Sequence, residues 1–326
     1  MAASSVLTYA EPDQMEAAHA AARAEVVPTA RERLAWHVTR VELDHVWLVR
    51  VQESGPRIRY VELDPERTFL SFLVRPGPDA SVRGVSRLPN SLIRHAQGQA
   101  FYERTSGPTD WVSLSVPTPE LMATSSALVS RDLSAHRDPQ LVMPAPGNMA
   151  NLLGAQTAIS NLARNSPHLL ANVEVVRALK QSLIDATIAC LSDSDAREEK
   201  WAQQTHDTIM RRLRRVLEEQ PNRPIYVPEI CAAIGVPERT LRLCCQEQLA
   251  MSPKQYLTRR RMHLVRRALL SAETETTVTE IATRFGFWHL GRFSGGYHAT
   301  FGELPSTTLA RRLQGGSHCC PVTTAG

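Results

Sequence analysis

Short apolar runs separated by turn residues occupy the chain from Leu34 to about Val116. Glycine–proline turns such as Ser54-Gly55-Pro56 interrupt these runs at regular intervals. Many short strands at this spacing predict an antiparallel sheet that curls into a sandwich or a small barrel. The predicted strands are Trp36–Leu43, His45–Val51, Ile58–Leu63, Thr68–Val74, Ser91–Ile93 and Trp111–Val116.

A helical period replaces this strand pattern after residue 117. The predicted helices are Pro117–Leu128, Ala145–Leu162, Leu169–Leu191, His206–Glu219 and Pro253–Leu270. The Leu169–Leu191 segment carries a long apolar stripe that needs a partner. We consider two partners for it, a second copy of the chain in a homodimer and the chain's own β-rich domain.

A hydrophobic pattern near the C-terminus occurs twice. In the first part of each copy, Ile230 and Gly235 are repeated 51 residues later as Ile281 and Gly286. In the second part the offset is 52, and five positions of the first copy (Leu241, Cys245, Leu249, Ala250, Pro253) become Phe293, Tyr297, Phe301, Gly302 and Pro305. A short helix, a glycine turn and a second helix form a helix-turn-helix, whose second helix enters the DNA major groove. The Pro253–Leu270 helix, about 27 Å long, would hold the two motifs roughly one turn of duplex apart.

These patterns predict an α+β multidomain chain with a β-rich N-terminal domain and an all-α C-terminal domain. We expect a poorly ordered lead-in over residues 1–25 and a β-rich plus helical sensory or dimerisation domain over 26–191. A polar linker at 192–203 then leads to a double helix-turn-helix domain at 204–312 and a disordered tail at 313–326. The charge supports this division, because residues 200–316 carry 18 Lys and Arg against 10 Asp and Glu, whereas the net charge of the chain is only +4. A basic C-terminal third favours nucleic acid as the partner.

The C-terminal third resembles the AraC/XylS family of bacterial transcription regulators over roughly residues 204–312. The motif Ile281-Ala282-x-x-x-Gly286-Phe287 and the run from Phe293-Ser294 to Pro305-Ser306 carry the resemblance, as does Ser252-Pro253-x-x-Tyr256-Leu257 followed by Arg261. The chain departs from the family pattern at Pro237, Cys245 and Ala250, where a serine, a phenylalanine and a glycine are usual.

The resemblance implies a sequence-specific regulator, more often an activator, that binds double-stranded promoter DNA and works with RNA polymerase. A small-molecule effector would bind the N-terminal domain. One alternative is an N-terminal domain that only dimerises and binds no effector. A less favoured alternative is an enzyme with a DNA tether.

The outward faces of the two recognition helices supply the expected DNA contacts. In the first helix, Arg239 and Arg242 lie opposite the apolar positions, and Leu243 lies on the groove side by family position. An arginine that forms two hydrogen bonds with guanine is the commonest specific contact, although each arginine here is alternatively a solvated surface charge. The outward set of the second helix is His289, Leu290, Arg292, Ser294 and His298. Gly291 and Gly295 have no side chain to contact a base, which favours shape and phosphate recognition there. Arg259–Arg261 are expected to contact phosphate or other side chains, since the family uses the arginine at 261 structurally.

Motifs for other chemistry are missing from the sequence. The six cysteines show no zinc spacing and are expected to be reduced, with Cys319 and Cys320 in the tail. No HExxH, GxSxG, phosphate-binding loop or dinucleotide-binding motif occurs, so no catalytic residue, metal or cofactor is expected. No apolar run is long enough to span a membrane, and we expect a soluble, cytoplasmic protein. Trp36, Trp47 and Trp111 are either core residues or the walls of an effector pocket.

Overall fold

The structure is a computed structural model that describes residues 3–17, 22–30, 34–128, 139–192, 194–197, 204–220, 223–273 and 275–315. The chain divides into two compact units. The first unit contains most of residues 1–211, together with 247–249, and the second contains residues 212–246 and the chain from 250 onward. The predicted α+β architecture is therefore confirmed, with a β-rich first unit and a helical second unit.

The first unit contains thirteen described strands in two antiparallel sheets. The strands are β1 (Ala3–Tyr9), β2 (Ala22–Pro28), β3 (Trp36–Leu43), β4 (Val46–Glu53), β5 (Arg57–Leu63), β6 (Arg67–Leu73), β7 (Ala80–Val82), β8 (Val85–Ser86), β9 (Leu92–Arg94), β10 (Ala100–Thr105), β11 (Thr109–Pro117), β12 (Gln140–Pro144) and β13 (Ser194–Arg197). One sheet has the order β1-β3-β4-β11-β6-β9-β12-β13 and the other β2-β5-β10-β7-β8. Neither order closes on itself among the described residues, so the fold is sandwich-like and the barrel alternative is not realised.

The first unit also contains helices α1 (Pro12–Ala17), α2 (Thr118–Leu128), α3 (Pro146–Asn165) and α4 (Val173–Ser192), with a short 3-10 helix at Pro167–Ala171. The apolar stripe of α4 is buried in its own domain. Leu183, Ile184 and Ile188 are at most 2% exposed and share one core with Leu48 and Leu114 of the larger sheet. The stripe was expected to pack either against a second copy of the chain or against the β-rich domain. In the structure it packs against the β-rich domain.

The prediction of a poorly ordered lead-in over residues 1–25 is wrong for the part that the structure describes. Strand β1 pairs with β3 along its whole length, and β2 pairs with β5. Val6 and Leu7 remain 48% and 37% exposed, so backbone hydrogen bonds rather than buried side chains hold β1 in place. A strand of this kind leaves no hydrophobic pattern in the sequence, which explains why it was missed.

The segment predicted as a linker also contains regular structure. Residues Ser194–Arg197 form β13, which pairs with β12 at the edge of the larger sheet. Backbone pairing again explains the error, because the run is polar and its composition alone is typical of a loop. Residues 193 and 198–203 lie outside the described part of the chain, as does the predicted tail beyond residue 315. Residues 313–315 belong to the last helix, so the predicted tail begins too early.

Two of the three tryptophans considered for an effector pocket are core residues. Trp36 and Trp111 are 1% and 2% exposed and pack with Val38 and Val51. Trp47 is half-buried and lies under the guanidinium of Arg67, whose Cζ is 3.9 Å from the ring centroid. Trp47 and Trp111 also line a small cavity between the two sheets.

Seven helices follow β13 in the described part of the chain: α5 (Gln204–Glu219), α6 (Val227–Ile234), α7 (Glu238–Leu249), α8 (Pro253–Leu270), α9 (Val278–Arg284), α10 (Leu290–Phe301) and α11 (Pro305–Gly315). Helix α8 has the predicted bounds, because Ser252 and Gln255 form a capping box at its start. Its buried face, which includes Val265 and Leu269, packs against Ile281 and Phe293 of the second motif.

Candidate nucleic-acid interface

The first helix-turn-helix consists of α6 and α7. Gly235 ends α6 with a φ of 73° and a ψ of 37°, the left-handed conformation that glycine adopts without strain. One face of α7 is fully buried, since Leu241, Cys244, Cys245 and Leu249 are all 0% exposed. These four residues fix which way the opposite face of the helix points.

The outward face of α7 carries the predicted contacts. Arg239, Arg242 and Leu243 are all exposed, and Leu243 is 56% exposed despite its apolar side chain. The Nη2 atom of Arg242 lies 3.7 Å from Oε1 of Glu238, one turn earlier in α7, and both side chains are exposed to solvent. An exposed pair of this kind is worth less than about 1 kcal/mol, so it leaves the guanidinium available to another partner.

The second helix-turn-helix consists of α9 and α10. Thr277 and Glu280 form a capping box at the start of α9. The turn contains Gly286, with a φ of 79°, and a side chain there would place its Cβ 2.5 Å from Cβ of Pro224. Only glycine fits at this position, because both the backbone conformation and the contact exclude a larger residue.

The predicted contacts of the second motif surround α10. His289, Leu290, Arg292 and His298 are exposed, whereas Ser294 is half-buried. Trp288, which was not among the predicted contacts, precedes the helix and is 68% exposed. An aromatic side chain in the turn, outside the apolar repeat, was the available signal for it. A side chain added at Gly291 or Gly295 would meet nothing within 4 Å, so this face is open but nearly bare.

An aromatic ladder anchors α10 to the rest of its motif. The rings of Phe287 and Phe293 lie 5.0 Å apart, those of Phe293 and Tyr297 5.7 Å apart, and those of Tyr297 and Phe301 4.5 Å apart. Such ring pairs add about 0.5–1.5 kcal/mol each beyond the area they bury. They offset the helix-weakening effect of Gly295 and Gly296, and α10 is a continuous helix.

Glu303 organises the polar contacts behind α10. Its carboxylate accepts hydrogen bonds from Arg266 Nη1 at 2.6 Å, from Thr308 Oγ1 at 2.8 Å and from Arg311. Tyr297 Oη donates to Thr308 Oγ1 at 2.9 Å, which connects the ladder to this network. Burial alone would raise the pKa of Glu303, but these hydrogen bonds and the two guanidinium charges lower it to about 2.

Arg261 lies inside the second unit and contacts parts of both motifs. Its guanidinium carbon is 5.6 Å from the ring centroid of Tyr226, beside α6, and 5.2 Å from that of Phe287, beyond α9. Arg260 is buried, whereas Arg261 is half-buried. Of the two roles predicted for Arg259–Arg261, contact with phosphate or with other side chains, these contacts favour the second for Arg260 and Arg261.

The described cysteines form no disulfide, and burial raises the pKa of three of them. Cys190, Cys244 and Cys245 are buried and Cys231 is half-buried. Burial raises the pKa of Cys245 to about 12, so the reactive thiolate is scarce at neutral pH. Cys319 and Cys320 lie outside the described residues. No cluster of three or more His, Cys, Asp or Glu side chains in the described part of the chain is placed to hold a metal ion. No described helix is long and apolar enough to cross a membrane.

Comparison with known proteins adds a family match, two relatives and a solved structure to this geometry. A family model described as a helix-turn-helix domain matches residues 230–311. The chain is similar to the probable thc operon regulatory protein of Rhodococcus erythropolis, with 40% identity over 94 residues that cover 28% of each protein. It is also similar to XylDLEGF operon transcriptional activator 1 of Pseudomonas putida, with 34% identity over 102 residues that cover 31% of each.

Among solved structures, the crystal structure of the AraC-like transcriptional activator CuxR matches 86% of this chain and 100% of its own, with a TM-score of 0.41 and 13% identity. The match to the two curated relatives spans less than a third of the length of either protein.

Proposed function

We propose that this chain, through its paired C-terminal motifs, is a transcription regulator of the AraC/XylS family and that it activates transcription by sequence-specific binding to promoter DNA. The proposal rests on one observation above all. Two helix-turn-helix motifs are joined by the 18-residue helix α8. The recognition helix of the first motif has an exposed face with two arginines whose side chains lie in solvent.

We assign base recognition chiefly to Arg239 and Arg242 of the first motif. Their outward face, fixed by the buried residues on the other side of α7, supports this assignment. Leu243 is suited to contact a thymine methyl group, since apolar side chains recognise thymine in the major groove. The second motif contributes Arg292, His289 and His298 at a face where glycine leaves the backbone open, which suits contact with phosphates.

The remaining parts of the proposal concern other partners. An activator works with RNA polymerase, and it acts in the cytoplasm, where bacterial DNA is. We further propose that a small-molecule effector bound by the first unit controls DNA binding. A homodimer remains part of the proposal, but the buried stripe of α4 no longer supports it.

A salt-dependent gel-shift titration tests DNA recognition directly. A fragment from upstream of the protein's own gene would compete with a scrambled fragment of equal length. We expect the full chain to prefer the native fragment by more than about 10³-fold. Arg239→Ala and Arg242→Ala should each reduce this preference by about 10- to 100-fold while weak general binding persists. Arg164→Ala, which removes an exposed charge from α3 in the first unit, is the matched control and should leave the preference unchanged.

The other outcomes are equally informative. If both arginine variants keep the full preference, these side chains are solvated surface charges and the assignment is wrong. If the native fragment shows no advantage, selection of bound fragments from the whole genome, with and without added metabolites, locates the operator or excludes one. Failure to bind any DNA at low salt would overturn the proposal itself.

A further inference from the structure

Trp288 is the most exposed large hydrophobic side chain among the residues that the structure describes, at 68%. Tryptophan is highly buried on average in folded proteins, although a single exposed apolar residue needs no explanation by itself. Here Leu290, two residues further on, is 39% exposed as well. The start of α10 therefore presents more apolar surface to solvent than the packing of the second motif requires.

The backbone is fixed on both sides of Trp288. The amide of Phe287 donates to the carbonyl of Ala282 at 2.9 Å, and the amide of Phe293 donates to the carbonyl of His289 at 2.9 Å. The ring of Phe287 is partly buried in the core of the second motif, 5.0 Å from that of Phe293. Since the turn is already held in one conformation, little ordering entropy is lost there when a partner binds.

The charges around Trp288 favour a polyanion as that partner. Residues 281–302 contain no Asp or Glu. Arg284, His289 and Arg292 are all exposed over the same stretch. An exposed apolar ring in a segment with cations and no carboxylate suits a partner that carries negative charge and also has apolar surface.

The backbone of a DNA duplex combines these two properties. Each deoxyribose has an apolar C–H face and lies beside a phosphate that accepts hydrogen bonds. The indole of Trp288 has the complementary groups, an apolar ring and the Nε1–H donor. In a helix-turn-helix the first helix crosses the DNA backbone and the second enters the major groove. Trp288 lies in the turn between α9 and α10, which corresponds to the edge of the groove.

We propose that Trp288 packs its indole ring on a deoxyribose at the edge of the major groove and donates Nε1–H to the adjacent phosphate. The contact is independent of sequence, and it adds a neutral anchor to the phosphate contacts proposed for Arg292 and His298. Contacts to sugar and phosphate fix the register of a protein on the duplex. The inference deepens the proposed DNA binding and rests on it, but it requires only a duplex and no particular bases.

Hydroxyl-radical footprinting of the full-length protein tests the contact, because the radical attacks deoxyribose and reports which sugars are covered. The fragment is the one from upstream of the protein's own gene, saturated with each variant in turn. We expect Trp288→Ala to lose protection at about one or two sugars of one strand and to keep the rest of the footprint. Leu304→Ala is the matched control, since it truncates a side chain that is 47% exposed in the turn after α10, and it should keep the whole footprint.

The salt dependence of the gel shift separates this neutral contact from an ionic one. Trp288→Ala should weaken binding by about 10- to 50-fold. It should leave the slope of log K against log salt concentration unchanged, because an uncharged side chain releases no counterion. Arg292→Ala should make that slope shallower by about 0.9. Trp288→Phe should keep part of the affinity, since it retains an aromatic ring and lacks the N–H donor.

Sequence preference provides a third measurement. Trp288→Ala should weaken binding to the native and the scrambled fragment by the same factor, whereas Arg239→Ala should lower the ratio between them. A fall of that ratio in Trp288→Ala would make Trp288 a base contact and overturn the backbone assignment. Unchanged affinity and footprint in Trp288→Ala would exclude the DNA contact, and a simultaneous loss of transcription would indicate that the indole binds a protein.

The wild-type protein separates the failure of this inference from the failure of the proposed function. A wild type that prefers its operator, with Trp288→Ala indistinguishable from it, retains the function and loses only the contact. A wild type without any preference, but with the predicted loss of affinity in Trp288→Ala, retains the contact and loses sequence-specific recognition. Failure to bind any DNA at low salt would contradict both.

Discussion

The two helix-turn-helix motifs have the same frame but differ in where their chemistry lies. With the offset of 52, the positions of Arg239, Arg242 and Leu243 in the first motif become Gly291, Ser294 and Gly295 in the second. The first motif thus has long side chains on its outward face and cysteines in its core. The second has glycine at two of these three outward positions and an aromatic ladder in its core.

If the first motif recognises bases as proposed, this difference means that the second motif contributes mainly to stability. The second motif buries Phe293 and Tyr297 and connects Tyr297 to Glu303 through Thr308. Each of these contacts adds to folding stability, but none reaches outward. The first motif exposes its arginines, and its core has cysteines in place of the aromatic ladder. A regulator built in this way would fix its position with one motif and recognise bases with the other.

The largest expected contrast lies in the two turns. Gly286→Ala should destabilise the protein by about 3 kcal/mol, because its φ of 79° is strained for alanine and the new Cβ would lie 2.5 Å from Pro224. Gly235→Ala is the matched change in the first motif. Its φ is 73° but nothing lies within 4 Å, so we expect a loss of only about 1 kcal/mol. Urea unfolding followed by circular dichroism measures both, and equal losses would show that the turns are packed alike.

The second contrast concerns pH. Glu303 has a pKa lowered to about 2, so its contribution to stability is complete above the unfolded value near 4.5 and is lost as the pH falls from there toward 2. Between pH 6 and pH 3 we expect the wild type to lose on the order of 2 kcal/mol more than Glu303→Gln. The measurement is urea unfolding at both pH values.

The control for this experiment is Glu229→Gln, which replaces an exposed carboxylate at the start of α6 in the first motif. This variant should lose stability on acidification in parallel with the wild type. If Glu303→Gln also follows the wild type, the network behind α10 does not depend on the charge of Glu303.

The sequence predicted the helices and strands that bury one face, because burial makes apolar residues recur with the period of the element. Strand β3 and helix α8 have the predicted bounds, because each alternates or repeats apolar positions against a core. Strands β1 and β13 were missed, since backbone pairing holds them and their side chains carry little pattern. All of the predicted DNA residues except Ser294 are exposed, because the buried face of a helix fixes which residues lie on the outward face.

The sequence could not reveal contacts between residues distant in the chain. Nothing in the local pattern around Arg59 indicates that Glu103 lies opposite, or that two other guanidiniums share that carboxylate. These pairs depend on the register of β5 with β10, which is a tertiary property. Trp288 was missed for a different reason, because it lies in a turn and belongs to neither apolar repeat.

The smallest contrast concerns the residue that ends each recognition helix. Ala250 ends α7 with a φ of 54°, whereas Gly302 ends α10 with a φ of 70°. Left-handed backbone costs alanine roughly 1–2 kcal/mol, and the greater freedom of glycine in the unfolded chain returns part of that difference. Ala250→Gly should therefore stabilise the protein by about 1 kcal/mol, and Gly302→Ala should destabilise it by a similar amount, as measured by urea unfolding. A side chain at 302 meets nothing within 4 Å, so backbone strain alone is tested there. If both changes lower the free energy of unfolding, contacts of the Ala250 side chain stabilise the end of α7. The first motif would then be more stable than its cysteine-containing core indicates.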